Sequence, residues 1–562
     1  MANIPLNPFK ADAKHMEHHN RYNKAIAFVR KRNPQNRPRI LVYTDIEQDY
    51  DDLLAVIFLA EMHRLGAIEL AGFVANHHPA RQRAKFLRTV LHLLDHPTIP
   101  VAVGTDGREH PEEHPTDFYY GLKNKTFRDA KWNKPRPGQR EEDVFESGAK
   151  LIKTLASQNK APLTVLLIST LQDIGEFFDA QKKTTEGQDF LKTKFHKFVS
   201  QGGYAVKELA AEPKSAGKAA TPEKVVMEPT AGMMNNDFHF ERAKSYTNGL
   251  AELGLRSDAW SRNAAKAARL PGTFMEGLFQ YGPIGAHLQW LWKRQEFKFY
   301  WDPFHWPHRP FLGVGWYLNT RLGLDKESEK FKALMRTGIS FTDAAPMVKV
   351  IAYDCCAAVG AVGDDFMREM GVLREEKDLP GYNKAKHGHR VFGKEPDDQG
   401  GINISRLVEV METFLLGGLM ATHNLPISKT DEFKTLTHEH VKSRFKLDFF
   451  LEKMMPVMKV IRDHETKAEE YDKGAAKAKK SGELPECERL RKLAKGERAL
   501  ADGPTGKAKL SVITGIEDRT KLPTKSDIPY EELFQDAMEK AEQAAAAAKV
   551  KKLMVGTKKT AA

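Results

Sequence analysis

Cysteine is scarce. Three occur in 562 residues, at Cys355, Cys356 and Cys487, and two of these are adjacent. That supports neither a disulfide framework nor a cysteine-rich zinc site, and it points to a reducing compartment, the cytoplasm. Long apolar runs are missing as well. None approaches the roughly 20 residues that a membrane-spanning helix needs, so no membrane partner is expected. The opening stretch MANIPLNPFKADAKHMEHHN lacks the charged-then-apolar layout of a secretory signal. Acidic residues (Asp12, Glu17) and the lack of serine before Pro38 argue against a mitochondrial leader. Internal repeats are absent too, which excludes solenoids and propellers. The run Gly503-Pro504-Thr505-Gly506-Lys507 has the wrong spacing for a phosphate-binding P-loop.

What is present is ordinary in bulk and basic in balance. Hydrophobic residues make up 41% and charged residues 29%, as in globular proteins generally. The formal net charge is +12, so a polyanionic partner has to be weighed. From Arg39 onward, short β-forming runs alternate with helical patterns. Arg39–Thr44 (RILVYT), Ile68–Ala75, Ile99–Val103, Leu163–Ile168 (LTVLLI) and Lys197–Gln201 read as strands. Leu53–Ala60, Ala80–Leu94, Phe145–Gln158, Arg262–Leu270 and Ile284–Trp292 read as helices. This alternation predicts an α/β fold: an open, mostly parallel sheet with helices on both faces, binding ligands at the carboxyl ends of its strands. Lys207–Pro229 reads as an insertion or flexible loop, and Ile402–Leu419 as a strand followed by a helix. Residues 1–37 read as a basic extension, 38–422 as the α/β domain, and 423–562 as a helical extension rich in Lys, Glu and Ala with a basic tail.

The chemistry concentrates in one loop. Tyr43-Thr44-Asp45-Ile46-Glu47-Gln48-Asp49-Tyr50-Asp51-Asp52 sets five carboxylates between a strand and a helix. Packing like charges so closely is unfavourable unless a positive charge sits among them. A hard divalent cation with oxygen ligands answers that need. A solvated acidic loop that stabilises the N-terminus of the next helix answers it too, and the loop alone leaves both readings open. An EF-hand is excluded, because its sixth and twelfth positions counted from Asp45 hold Tyr50 and Val56.

Further segments follow in a telling order. They are Gly72-Phe73-Val74-Ala75-Asn76, Thr98-Ile99-Pro100-Val101-Ala102-Val103-Gly104, Leu166 to Ile174, Gly202-Gly203, Asn235, and Tyr353-Asp354 before CCAAVGAV. With the acidic loop, this ordered set over residues 37–422 resembles the inosine/uridine-preferring nucleoside hydrolase family. The resemblance implies a nucleoside hydrolase-like fold and Ca2+-dependent hydrolysis of the N-glycosidic bond of ribonucleosides. It also implies a small-molecule nucleoside as ligand and a homo-oligomer in nucleoside catabolism. Carried over by position, Asp45, Asp52, Asp354 and the carbonyl of Ile168 would hold Ca2+. Asp51 would be the general base, Asn76 and Asn235 would bind the sugar, and Tyr353 stands where some members carry an acid histidine.

The departures cluster on substrate recognition rather than on the metal. Tyr43 replaces an aspartate, Glu47 a loop glycine, and Met233 a glutamate. Ser169-Thr170 and Gln172-Asp173 replace Gly-Pro and Thr-Asn. A phenol is a poorer acid than imidazolium near neutrality. The competing expectation is therefore a catalytically impaired, ligand-binding scaffold that acts through its basic extensions. Three other features are weighed. Trp290, Trp292, Tyr300, Trp301, Phe304, Trp306 and Trp316 form an aromatic stretch suited to core, interface or base stacking. His305, His308 and His438-Glu439-His440 lack metal-site spacing. The tail lysines from Lys549 to Lys559 suit a solubilising end better than a nucleic acid or acidic partner.

Overall fold

The computed structural model describes residues 7–107, 127, 130–135, 137, 139, 144–209, 224–305, 313–374, 388–393, 401–431, 433–434, 455–481 and 483–502. His308, Trp306, His438-Glu439-His440, the Gly503 run and the lysine tail lie outside them. The chain divides into two units. One holds residues 1–296, 319–325 and 339–438, and the other holds 297–318, 326–338 and 439–562.

The first unit is built on a seven-stranded sheet. Its strands are β1 (Arg39–Thr44), β2 (Glu69–Ala75), β3 (Val101–Val103), β4 (Leu163–Ile168), β5 (Phe195–Gln201), β8 (Ser257–Trp260) and β11 (His389–Phe392). They lie in the order β11-β8-β5-β4-β1-β2-β3, and every pairing is parallel. β1 and β4 are buried along their whole length, which is why RILVYT and LTVLLI are continuous apolar runs rather than alternating ones. On one face, Leu41, Tyr43, Val165 and Leu167 pack against Leu151, Leu155, Ile174 and Phe178. On the other, the Asp51–Leu65 helix packs against the Tyr353–Val362 and Ile404–His423 helices.

Several local expectations change. β8 and β11 were not legible, being only four residues each. Lys207–Pro229 is not simply a loop, because its ends belong to a two-stranded antiparallel ribbon of β6 (Tyr204–Leu209) and β7 (Lys224–Pro229). The Arg262–Leu270 helix stops at Ala267, and the chain enters β9 (Arg269–Pro271), which pairs with β10 (Lys349–Ile351). Ile402 makes only an isolated bridge to Leu373, and the helix after it runs Ile404–His423.

The N-terminal helix Met16–Lys31 packs on the Ile404–His423 helix. The Tyr22 hydroxyl donates to buried Glu61, which also accepts from Arg64 at 2.7 Å. Trp290 and Trp292 are buried, as core residues are. In the second unit, helices Met455–Lys480 and Leu484–Asp502 form a hairpin. Cys487 is buried there against Ala475 and Ala478, and His464 bonds Glu497 at 2.6 Å.

Close packing behind the Tyr353–Val362 helix is testable at Gly360. An added Cβ there would overlap the Trp260 indole, which is 1% exposed. Alanine gains about 1 kcal/mol of helix propensity over glycine. Overpacking in an enclosed core costs about 1–3 kcal/mol and should win. Gly360→Ala should therefore lower the urea midpoint, whereas Gly277→Ala, where an added Cβ meets nothing within 4 Å, should not.

Candidate active site

β1 ends at Thr44, in register with Ile168 of β4 and Ala75 of β2. Strand order runs outward from this point in both directions, through β2 and β3 on one side and β5, β8 and β11 on the other. Open α/β sheets bind ligands in the crevice beyond the carboxyl ends at such a switch point. The acidic loop follows β1 directly and so occupies that crevice.

The loop is held from beneath by side chains distant in sequence. Arg83 is fully enclosed. It donates to the Ile46 carbonyl and the His78 carbonyl at 2.8 Å and to Gln48 Oε1 at 2.9 Å, and it also reaches the Asp45 carbonyl. Glu47 has φ of +73°, the left-handed region that favours glycine. That explains why a glycine suits this position. Here the buried Glu47 carboxylate is instead anchored to His287 Nε2 at 3.0 Å. Arg321 donates to the Tyr50 hydroxyl at 3.1 Å and to Glu296 at 3.0 Å.

Above this support the carboxylates converge. Asp51 and Asp52 open the Asp51–Leu65 helix, and the Thr44 hydroxyl donates to Asp52. Asp49, Asp51 and Asp52 each offer an oxygen within 4.8 Å of the others. Asp354 arrives on the Tyr353–Val362 helix, which packs on the Asp51–Leu65 helix. Burial, and then the charges of Asp51, Asp52, Asp49 and Asp45, push its carboxyl well above the ordinary range. Burial and neighbouring carboxylates raise Asp51 and Asp52 in the same way. Asp45 is pushed up to about 7, chiefly by burial, with Arg83 opposing the rise.

The remaining expected residues are spread around the rim. Ile168 lies beside Thr44 by register. Asn76 follows β2, and its side-chain amide donates to Asp173 at 2.9 Å and to the Thr170 carbonyl at 3.3 Å. Its Oδ1 is buried without a hydrogen-bond partner among the described residues. Asp173 also accepts from the Thr105 amide at 2.9 Å, so it joins the ends of β2, β3 and β4. Tyr353 is half-buried; its hydroxyl is raised to about 12, first by burial and then by Asp51 and Asp49, against Arg321 and Arg262. Asn235 is tied to Gln201 at the end of β5, at 2.8 Å.

The structure thus sets Asp45, Asp51, Asp52, Asp354 and Tyr353 within range of one another's charge, while the oxygens that lie within 4.8 Å of one another are those of Asp49, Asp51 and Asp52. Asn235 stands apart, at the mouth of a different strand. Arg83, His287, Asp173 and the part played by Asp49 were missed by sequence reasoning. Arg83 and His287 look like ordinary helix residues until the helices are packed, so no local signal marks them.

No protein-family model matches the chain, and no curated protein does. Solved structures do. The type III effector protein XopQ, complexed with adenosine diphosphate ribose, matches with a TM-score of 0.54 at 18% identity over 71% of this chain and 98% of that one. The effector protein XOO4466 matches over the same shares at 18% identity, with a TM-score of 0.53. A purine-preferring ribonucleoside hydrolase from Gardnerella vaginalis aligns at 13% identity over 68% of this chain and 99% of that one, with a TM-score of 0.38. The likeness is one of fold. The two effector proteins share the α/β fold of this chain.

Donor chemistry offers a fit test for a metal. The ligand candidates are all oxygens, as a hard cation prefers. Arg83 supplies a positive charge that offsets only part of the buried carboxylate charge. A divalent cation fits. Asp45 rises from 3.8 to about 7, so without a cation the folded protein retains protons that the unfolded chain has already released between these values. Stability drawn from those carboxylates therefore falls as pH rises through that window. Histidines such as His63 and His96, held low mainly by burial, tilt the profile the other way. They do so with or without the cation. The rise in Tm on adding Ca2+ to chelator-treated protein should therefore grow from pH 4 towards pH 7. A Tm increment independent of pH would show that these carboxylates do not hold the ion.

Proposed function

We propose that this chain is a Ca2+-dependent hydrolase of the N-glycosidic bond of ribonucleosides. The observation that carries the reading is the convergence of Asp354 on Asp45, Asp51 and Asp52 at the switch point of the sheet. Asp45, Asp52, Asp354 and the Ile168 carbonyl would hold the cation, with Asp49 close enough to join them. When bound, it supplies positive charge that makes water more acidic and orients neighbouring sugar hydroxyls.

Asp51 acts as general base. Its carboxyl is raised by burial and by neighbouring carboxylates, so offsetting their charge favours its ionised form. Proton abstraction from the attacking water is thus tied to occupancy of the site. The unused Oδ1 of Asn76 can accept from a sugar hydroxyl, because the amide end is already committed. Asn235 would bind the sugar from the β5 side. Carboxylates near the anomeric carbon favour the oxocarbenium character that develops as the base departs.

Tyr353 is the weak point. A phenol raised to about 12 is a slow proton donor at neutral pH. This favours a second reading, in which the site binds a ribosyl ligand with little or no turnover. The XopQ structure was solved with adenosine diphosphate ribose, so that compound belongs in the same assay as the nucleosides.

Purified full-length protein incubated with a nucleoside panel should release free base. Chelator should stop the release and added Ca2+ should restore it. Ligand binding without base release would support the second reading. Asp51→Asn should reduce turnover by roughly 100-fold or more, in line with loss of a general base, and leave Ca2+ affinity largely intact. By calorimetry, Asp354→Ala should weaken Ca2+ binding the more strongly of the two. The reverse order would exchange the assignments of base and ligand.

A further inference from the structure

The opposite end of the sheet carries a cavity. A cleft of about 1060 Å³ opens at the amino ends of the strands, away from the carboxylates by the length of the sheet, roughly 20 Å. His196 and Lys197 come from the start of β5, Arg256 and Asp258 from β8 and its approach, and Arg390 from β11. Arg32 and Arg37 reach it from the segment before β1, and Arg368 from the far wall. Six Lys and Arg side chains line it against three aspartates.

Those aspartates are already committed. Arg390 forks onto Asp258 and Asp364, at 2.6 Å to each. Lys197 lies 2.7 Å from Asp258, and Arg32 lies 3.1 Å from Asp365. Arg37 and Arg256 make no ion pair among the described residues, and Arg32 Nε is buried without a hydrogen-bond partner there. Partial desolvation, and then the charges of Arg256 and Lys197, hold His196 below its ordinary value. Arg37 and Arg256 therefore line a hollow whose carboxylates are already paired with its other cations.

We propose that this cleft binds a small soluble ligand through a diphosphate group, independently of the carboxylate site. The cationic surplus matches the charge of a diphosphate. Guanidinium forks fit phosphate oxygens, and a hollow of this size suits a small molecule.

Titration calorimetry of the full chain tests it, with chelator present so that no metal recruits phosphate to the other site. Inorganic pyrophosphate and ADP should bind and adenosine should not. Arg256→Ala removes an exposed side chain and should keep the parent Tm while weakening pyrophosphate binding about tenfold, the loss of one charged hydrogen bond. Arg37→Ala should do the same, and Asp51→Asn should change nothing. No heat with pyrophosphate, or full affinity in both arginine variants, would overturn the proposal. So would loss of binding in Asp51→Asn, which places the ligand among the carboxylates. Affinity for oligoribonucleotides that rises with length and exceeds that for ADP would overturn it in favour of nucleic acid. These readouts need no turnover, so they stand apart from the hydrolase assay.

Discussion

Mutual repulsion of buried carboxylates is the constraint around which the first unit is arranged. Two unit charges about 4 Å apart repel by about 4 kcal/mol at an effective dielectric near 20. Several such pairs approach the whole stability of a domain, about 5–15 kcal/mol. Asp45, Asp51, Asp52 and Asp354 are all buried and all raised. A fold that keeps them together must hold protons or a cation there. It must also hold the loop rigidly enough that the groups do not relax apart. Arg83 pins the loop carbonyls, His287 pins Glu47, and the Arg321–Glu296 pair pins Tyr50.

The same parallel sheet separates two sites of opposite sign. Its carboxyl ends gather acids and its amino ends gather guanidinium groups. Strands of fixed rise set the spacing. Each end is further shaped by a helix that packs across the sheet face, the Tyr353–Val362 helix delivering Asp354 at one extremity and Ala361 and Gly363 at the other. A shift of that helix would move both sites, and Gly360 lets it lie close against Trp260.

Much of the architecture was legible. β1 and β4 announce themselves as continuous apolar runs because both of their faces are covered. The loop after β1 announces itself by charge density that no ordinary turn carries. Short edge elements were not legible: Ser257–Trp260 and His389–Phe392 are too brief to show periodicity, and their pairing depends on neighbours already in place. Asn235 carries no signal of its own beyond position. Its geometry is settled by Gln201, from a strand more than thirty residues earlier.

By itself, the sequence determined the fold class, the acidic loop and its place after the first strand, since these follow from local periodicity and local charge. Only the tertiary structure decided which charges meet. Asp354 and Asp45 are about three hundred residues apart and share no local pattern. Arg83 and His287 become partners of the loop only when helices from elsewhere close over it. The amino-end cleft is likewise assembled from separate segments, the basic stretch before β1 among them. Local sequence can announce a charge, but only packing decides what that charge must be balanced against.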